Sequence, residues 1–200
     1  SSAASDVYKR QNICSVDKIQ HIAKKHNLKV IYDAAHAFGE TYNGKGIGTY
    51  GDLSVFSFHA TKVYNTIEGG AICCHSQEQY DKLYNLKNFG IRSEELVVSV
   101  GANAKMNEFQ AAMGLCNLKY IDGEIAKRKC LADIYVSALK DLRGIYLNYE
   151  NRAEKSNYSY FPVLFENKAV RDSVYDGLRE HNIYSRKYFY PITALSLIHI

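Results

Sequence analysis

Asp33 and Lys62 are the residues whose type and position could do chemistry. Each follows a short β-rich run, residues 28–32 in one case and 53–58 in the other. In open α/β sheets, ligands bind outside the carboxyl ends of the strands. A lysine flanked by Phe58, Ala60 and Val63 is partly shielded from water, which favours the neutral amine and makes it available as a nucleophile. Taken alone, the pair would serve equally as an ordinary surface lysine and an ordinary helix cap.

The elements that must position them alternate in type. Ser15 can cap a helix running to Asn27, with Val16, Ile19, Ile22 and Ala23 on one face and Asp17 in its first turn. Asn43-Gly44 marks a hairpin turn. A third apolar run, 70–74, follows the lysine closely. Helices are expected over 76–88, from 107 to about 120, and on to about 141 with Gly123 as the break. The last stretch reads as strand 158–165, helix 169–181 and strand 183–190. This alternation predicts an α/β fold with a mostly parallel sheet and helices on both faces.

Other chemistries find little support. Gly44, Gly46 and Gly48 lack the dinucleotide-binding spacing and read as a flexible loop, and no phosphate-binding GxxxxGK[ST] run occurs. His21 and His26 are off helical metal-ligand spacing and no HExxH is present, so no metal site is expected. Cys73-Cys74 lies in an apolar strand, where neighbours point to opposite faces; small buried hydrophobes are expected there. The 17 tyrosines are scattered too widely to suggest a site.

The 200 residues are 46% hydrophobic and 23% charged, which excludes collagen-like and disordered chains. No apolar run reaches the roughly 18 residues of a membrane helix. Five cysteines without a CxxC pair argue against a disulfide framework and for a reducing, cytosolic setting. The net charge of +4 is spread among acids along helical stretches, so no nucleic-acid partner is expected. Residues 1–11 and 195–200 are encoded by one DNA element and its reverse complement, resembling a transposase-type sequencing adaptor. Both ends are therefore expected to be foreign, and residues 12–194 an internal piece of a longer reading frame.

The residues around the pair carry a resemblance. Val30-Ile31-Tyr32-Asp33-Ala34-Ala35-His36-Ala37-Phe38-Gly39 is followed by Ser57-Phe58-His59-Ala60-Thr61-Lys62, then by Glu68-Gly69-Gly70. A fourth stretch runs from Gly101-Ala102-Asn103 through Met106-Asn107-Glu108-Phe109-Gln110 to Gly114. In this order and spacing they resemble the DegT/DnrJ/EryC1/StrS sugar aminotransferases, which are fold-type I enzymes dependent on pyridoxal 5'-phosphate. The resemblance implies the later part of a cofactor-binding large domain over 12–140. It also implies a truncated α+β small domain over 141–194. The upstream strands and phosphate-gripping turn of the family are missing, so this piece alone is expected neither to fold stably nor to turn over.

By the same resemblance, Lys62 matches the lysine that forms the internal aldimine, and Asp33 the carboxylate that holds the pyridine nitrogen protonated. His36 takes the place of a Gln or His touching the cofactor ring and its phenolic oxygen, with a core histidine satisfied by backbone as the alternative. Ser57 matches a phosphate-binding serine. Asn103 matches an asparagine that reaches the neighbouring subunit's phosphate, which implies a homodimer. The implied substrates are an amino-acid donor, usually glutamate, and a nucleotide-linked keto-deoxysugar. The run 57–70 looks most like enzymes aminating C3 of 3-keto-6-deoxyhexoses. Sugar dehydratases of the family carry His where this chain has Lys62. A non-catalytic homologue, or a nucleotide-binding module of another family, are the other readings; the retained Asp33 and Lys62 weigh against the first, and the missing glycine fingerprints against the second.

Overall fold

The computed structural model describes residues 13–147 and 153–187, and both expected foreign ends lie outside them. The chain divides into two compact units, one of residues up to Tyr135 with those of 149–162, the other of 136–148 with those from Val163 onward. The first unit carries every candidate site residue.

Helix α1, Val16–His26, starts after Ser15 and ends at Asn27, whose left-handed backbone (φ 50°) turns its N–H back onto the carbonyls of Ala23 and Lys24. Val16 and Ala23 are buried as the helical period requires, but Ile22 is more than half exposed. Strand β1 is Ile31–Asp33, so Asp33 is its last residue. Asp52 pins the approach to it: one carboxylate oxygen accepts the Val30 N–H at 2.8 Å, the other the Lys29 ammonium at 3.0 Å. The Val30 hydrogen bond, then the Lys29 partner, hold that carboxyl below its ordinary range.

Strands β2 (Thr41–Tyr42) and β3 (Lys45–Gly46) form the expected hairpin. Asn43 (φ 49°) and Gly44 (φ 74°) both take the left-handed backbone that such a two-residue turn needs. The glycine loop expected to be flexible is instead built structure: Gly46 ends β3, and a 3-10 turn, Ile47–Thr49, follows with Ile47 fully buried.

Strands β4 (Leu53–Ser57) and β5 (Gly70–Cys74) complete the central sheet, in the order β1-β4-β5. β1 runs parallel to β4, with Asp33 opposite Val55; β5 returns antiparallel, with Gly70 opposite Ser57. Alternation sends Tyr32, Ser54 and Phe56 into the core. Ile31, Asp33, Val55 and Ile72 lie on the other face, whose apolar members are exposed. Among the described residues β1–β4 is the parallel pair and every other strand pair is antiparallel, so parallel pairing is less extensive than the alternation suggested.

Helix α2, Gln77–Lys87, is capped by Ser76, whose hydroxyl accepts the Gln79 N–H. β6 (Ile91–Ser93) and β7 (Leu96–Val97) make a small exposed ribbon. Helix α3, Glu108–Leu118, opens on a reciprocal capping box between Asn107 and Gln110. The break before α4, Ile121–Leu139, falls at Lys119-Tyr120; Gly123 sits inside the first turn of α4.

The expected strand 158–165 is interrupted. Tyr158 has a left-handed backbone (φ 55°) that no strand accommodates, and the ladder residues reduce to β10, Val163–Phe165. Strand β9, Glu154–Lys155, pairs with β2. In the second unit β10 pairs antiparallel with β8, Ile145–Leu147, and leads into helix α5, Lys168–Glu180, capped by Asn167. Residues 183–187 form no strand, and the rest of the last expected strand lies outside the described residues. No helix among the described residues is long and apolar enough to cross a membrane.

Candidate active site

The site is built at the carboxyl ends of β1 and β4. Asp33 closes β1, and its Oδ1 accepts the Ala35 N–H at 3.1 Å, which turns the chain sharply and fixes the carboxylate's orientation. The turn brings His36 within reach of Lys62: Nζ stands 3.0 Å from His36 Nε2 and 3.4 Å from Nδ1. Lys62 is half-buried, as its apolar flanks foretold. Ser57 ends β4 on the same face as Val55 and hence as Asp33; its Oγ accepts the His59 N–H at 3.4 Å.

Aromatic packing holds the two loops together. Phe38 and Tyr64 stack with centroids 4.2 Å apart, while Phe58 packs edge-on against Tyr64 at 4.9 Å. Such pairs contribute about 0.5–1.5 kcal/mol each beyond the apolar area they bury. The lysine loop, 58–69, is also closed at its base, where the Phe58 N–H donates to the Gly69 carbonyl at 2.8 Å. His59 ties its start through Thr61 Oγ1 (2.8 Å) and faces Glu68 at 3.5 Å. Helix α3 presses on the same loop through Gly114: a Cβ there would come within 2.9 Å of the Tyr64 hydroxyl and 2.8 Å of Thr66 Cγ2. Asn117 adds a bond from Nδ2 to the Asn65 carbonyl at 2.9 Å.

A second segment, distant in sequence, completes the environment of His36. The wholly buried Asn157 donates from Nδ2 to the carbonyls of His36 (2.6 Å) and Phe38 (2.9 Å). Ser159 Oγ donates to the His36 carbonyl at 3.3 Å, and the Tyr160 hydroxyl lies 3.2 Å from His36 Nδ1. Beneath them, the Asn157 N–H and the Ser156 hydroxyl donate to the buried carboxyl of Glu40, whose burial pushes it up to about 8. Sequence reading missed Asn157, Ser159, Tyr160 and Glu40. The only local signal for Asn157, Ser159 and Tyr160 is polar residues among aromatics at the start of a run that otherwise reads as strand, and Glu40 has none.

Asn103 is not brought to this cluster within the chain. It is exposed, forms an isolated bridge with Asn88, and accepts a hydrogen bond from Lys105 Nζ at 2.9 Å. Cys73 turns to the core side of β5, where burial raises its thiol, and no three metal-ligating side chains converge among the described residues.

An amine, an imidazole, a carboxylate and a hydroxyl thus share one end of the sheet. This set can hold a carbonyl compound covalently, pass protons to and from it, and balance a positive charge.

Comparison with known proteins then fixes the lineage. The sequence profile described as "DegT/DnrJ/EryC1/StrS aminotransferase family" matches residues 10–199. The chain belongs to that family. A dTDP-4-amino-4,6-dideoxy-D-glucose transaminase of Shigella dysenteriae is 45% identical over 183 residues, 90% of this chain and 50% of that protein. A transaminase of the same name from Escherichia coli is 43% identical over 198 residues, 96% and 53% of the two chains. The solved structure of DesI in the presence of its TDP-sugar product superposes with a TM-score of 0.82 at 34% identity, over 92% of this chain and 48% of that one. The chain spans about half the length of the curated relatives it matches. Its architecture is that of a partial sugar aminotransferase of fold type I. Both relatives' names put the nitrogen on C4, a preference different from the C3 suggested by the run 57–70.

Proposed function

We propose that this chain carries the amine-exchange site of an aminotransferase dependent on pyridoxal 5'-phosphate, which moves an amino group from an amino acid, glutamate foremost, to a nucleotide-linked keto-deoxysugar. The observation that carries the reading is Lys62 Nζ held 3.0 Å from His36 Nε2, on a loop leaving the strand that pairs with the Asp33 strand. The two C4-named transaminases make C4 the ring carbon we favour.

The residues fit the cofactor by their chemistry. An amine matches its aldehyde, a carboxylate its ring nitrogen and a hydroxyl its phosphate, while Val55, exposed beside Asp33 on the same face of the sheet, offers an apolar contact. Bound there, pyridoxal phosphate supplies an exchangeable carbonyl and a ring that accepts electron density. Lys62 anchors it through Nζ. Once a donor amine took its place, Lys62 would hold a proton at Nζ and give it back, as general base and then acid. His36 takes and hands back the Lys62 proton across 3.0 Å. Asp33 keeps its negative charge toward the ring nitrogen. Ser57 and the partner subunit's Asn103 hydrogen-bond the phosphate. The donor leaves as its 2-oxo acid and the sugar ketone becomes an amine, so two half-reactions share one site and ping-pong kinetics follow.

A homodimer is part of this reading. It is supported by α3, which begins five residues after Asn103 and leaves Phe109 (86%) and Leu115 (67%) exposed. Contiguous exposed apolar patches mark association surfaces, and Met113 (39%), one helical turn beyond Phe109, extends this one.

The test is spectroscopic. Protein expressed from its complete reading frame and incubated with pyridoxal phosphate should gain a visible absorption band that glutamate bleaches. Borohydride should fix the cofactor on the Lys62 peptide, and Lys62→Ala should show neither effect. A colourless wild type overturns the reading; a coloured protein inert to every amino donor makes it a non-catalytic homologue.

A further inference from the structure

The lysine loop is folded on its own polar side chains. A backbone N–H can only donate, so a ring nitrogen that receives one must carry a lone pair. The Thr61 N–H donates to Nδ1 of His59 at 3.2 Å, and the Thr61 hydroxyl stands 2.8 Å from the same nitrogen. Nδ1 is therefore the bare nitrogen of this ring. The other nitrogen, Nε2, faces the Glu68 carboxylate at 3.5 Å, where an N–H is attracted and a lone pair repelled. The two nitrogens have different neighbours, and both neighbours demand the same tautomer.

The main chain of His59 is used as fully as its ring. Its N–H donates to Ser57 Oγ at 3.4 Å, and its carbonyl accepts the Lys62 N–H at 2.9 Å. A side-chain acceptor that takes the N–H two residues on makes the turn usually built by Asn or Asp, here closed by an imidazole. Thr61 is thus held by the ring and Lys62 by the carbonyl of one residue.

We propose that His59 is a positioning residue for Lys62, whose ring, protonated on Nε2 and bare at Nδ1, folds the turn 59–62 and so aims the Lys62 amine into the site. The inference rests on the reading of Lys62 as the reactive amine.

The far side of the clasp is itself fixed. The Glu68 N–H donates to the Thr66 carbonyl at 2.9 Å, and the Glu68 carbonyl accepts the Thr66 hydroxyl at 2.6 Å. Thr66 is wholly buried, so the carboxylate that meets Nε2 stands on anchored backbone. His59 and Glu68 lie one residue inside the two ends of the loop 58–69, where their contact braces the stretch that bears Lys62. The His59 side chain is 47% exposed, so its truncation opens no cavity and leaves the packed aromatics beneath it intact.

The test uses protein from the complete reading frame, first without cofactor. With 15N-histidine labelling, the His59 ring should show a bare Nδ1 and a protonated Nε2. Amide exchange at Thr61 should quicken several-fold in His59→Ala. His59→Asn, whose Oδ1 can accept the same N–H, should restore it. With pyridoxal phosphate, the visible band should form about five- to tenfold more slowly in His59→Ala, the size of one neutral hydrogen bond, and return to near the wild-type rate in His59→Asn. Equal urea midpoints in the three proteins separate aim from stability. A wild-type His59 with its proton on Nδ1 overturns the proposal without any variant. So does a His59→Ala protein with unchanged exchange and band formation, or a His59→Asn protein as slow as His59→Ala. A wild type that stays colourless removes the aminotransferase reading instead, and the tautomer and Thr61 exchange still decide whether His59 folds the turn.

Discussion

Phe38 and Tyr64 stack almost parallel, with ring planes 16° apart, and each lies two residues beyond a member of the site: Phe38 after His36, Tyr64 after Lys62. The 3.0 Å approach of the lysine to the histidine is thus set by a hydrophobic contact that touches neither. This explains how two loops separated by a whole strand can hold a reactive pair in register.

Tyr64→Ala should therefore lose more than stability. Removing a buried aromatic costs about 3–5 kcal/mol, and the lysine loop should also loosen, so that any refolded protein takes up pyridoxal phosphate more weakly. Tyr64→Phe keeps the stack and should retain both properties. Urea midpoints and cofactor titration of the two variants provide the check.

Asn157→Ala should destabilise by about 2–4 kcal/mol, because it leaves the carbonyls of His36 and Phe38 without their buried donor. A midpoint shift in chemical denaturation measures this. A shift below about 0.5 kcal/mol would mean that water replaces the amide, against the complete burial of Asn157.

Glu40 gives a pH signature. Its folded value of about 8 lies above the ordinary 4.5, so the folded state keeps a proton that the unfolded chain releases. Its contribution is complete below about pH 4.5 and declines as pH rises toward 8. Stability curves at pH 5, 6, 7 and 8 should slope downward, and Glu40→Gln should flatten the slope across this window. An unchanged slope in the glutamine variant would assign the effect to another group.

Phe109→Lys should disrupt the proposed dimer without disturbing a packed core, since the side chain is 86% exposed. Sedimentation should show a shift toward monomer. Activity should fall with it, because the Asn103 role requires the partner. A variant that remains dimeric at micromolar concentration would move the interface elsewhere.

How much of this was legible in the sequence depends on the range of the signal. The helices expected to open at Ser76 and Asn107 do so, and Asn43-Gly44 announces its hairpin, because these signals are adjacent to what they start; Ser15, read as a cap by the same rule, makes no side-chain capping bond to α1. Asp33 and Lys62 stood out because each lies at or just beyond the end of a short β-rich run, whereas His36 and Ser57 came from the family resemblance of the same stretches. The supports of His36 were not visible, since Asn157 and Tyr160 come from more than 120 positions away. The run 158–165 looks like a strand by composition. Its polar groups instead bind the loop 36–40, and Tyr158 breaks the extended path. Ile22 fits the helical period but finds nothing to pack on among the described residues, so pattern alone overstated its burial.

The pairing of Ser57 with Gly70 has one more consequence. The stretch bearing Lys62 leaves and re-enters the sheet at a single rung, as a noose leaves and rejoins its knot. Its interior can lengthen, shorten or change composition while the hydroxyl at the knot stays where it is. Divergence of substrate preference could then proceed inside the noose with the anchoring group undisturbed.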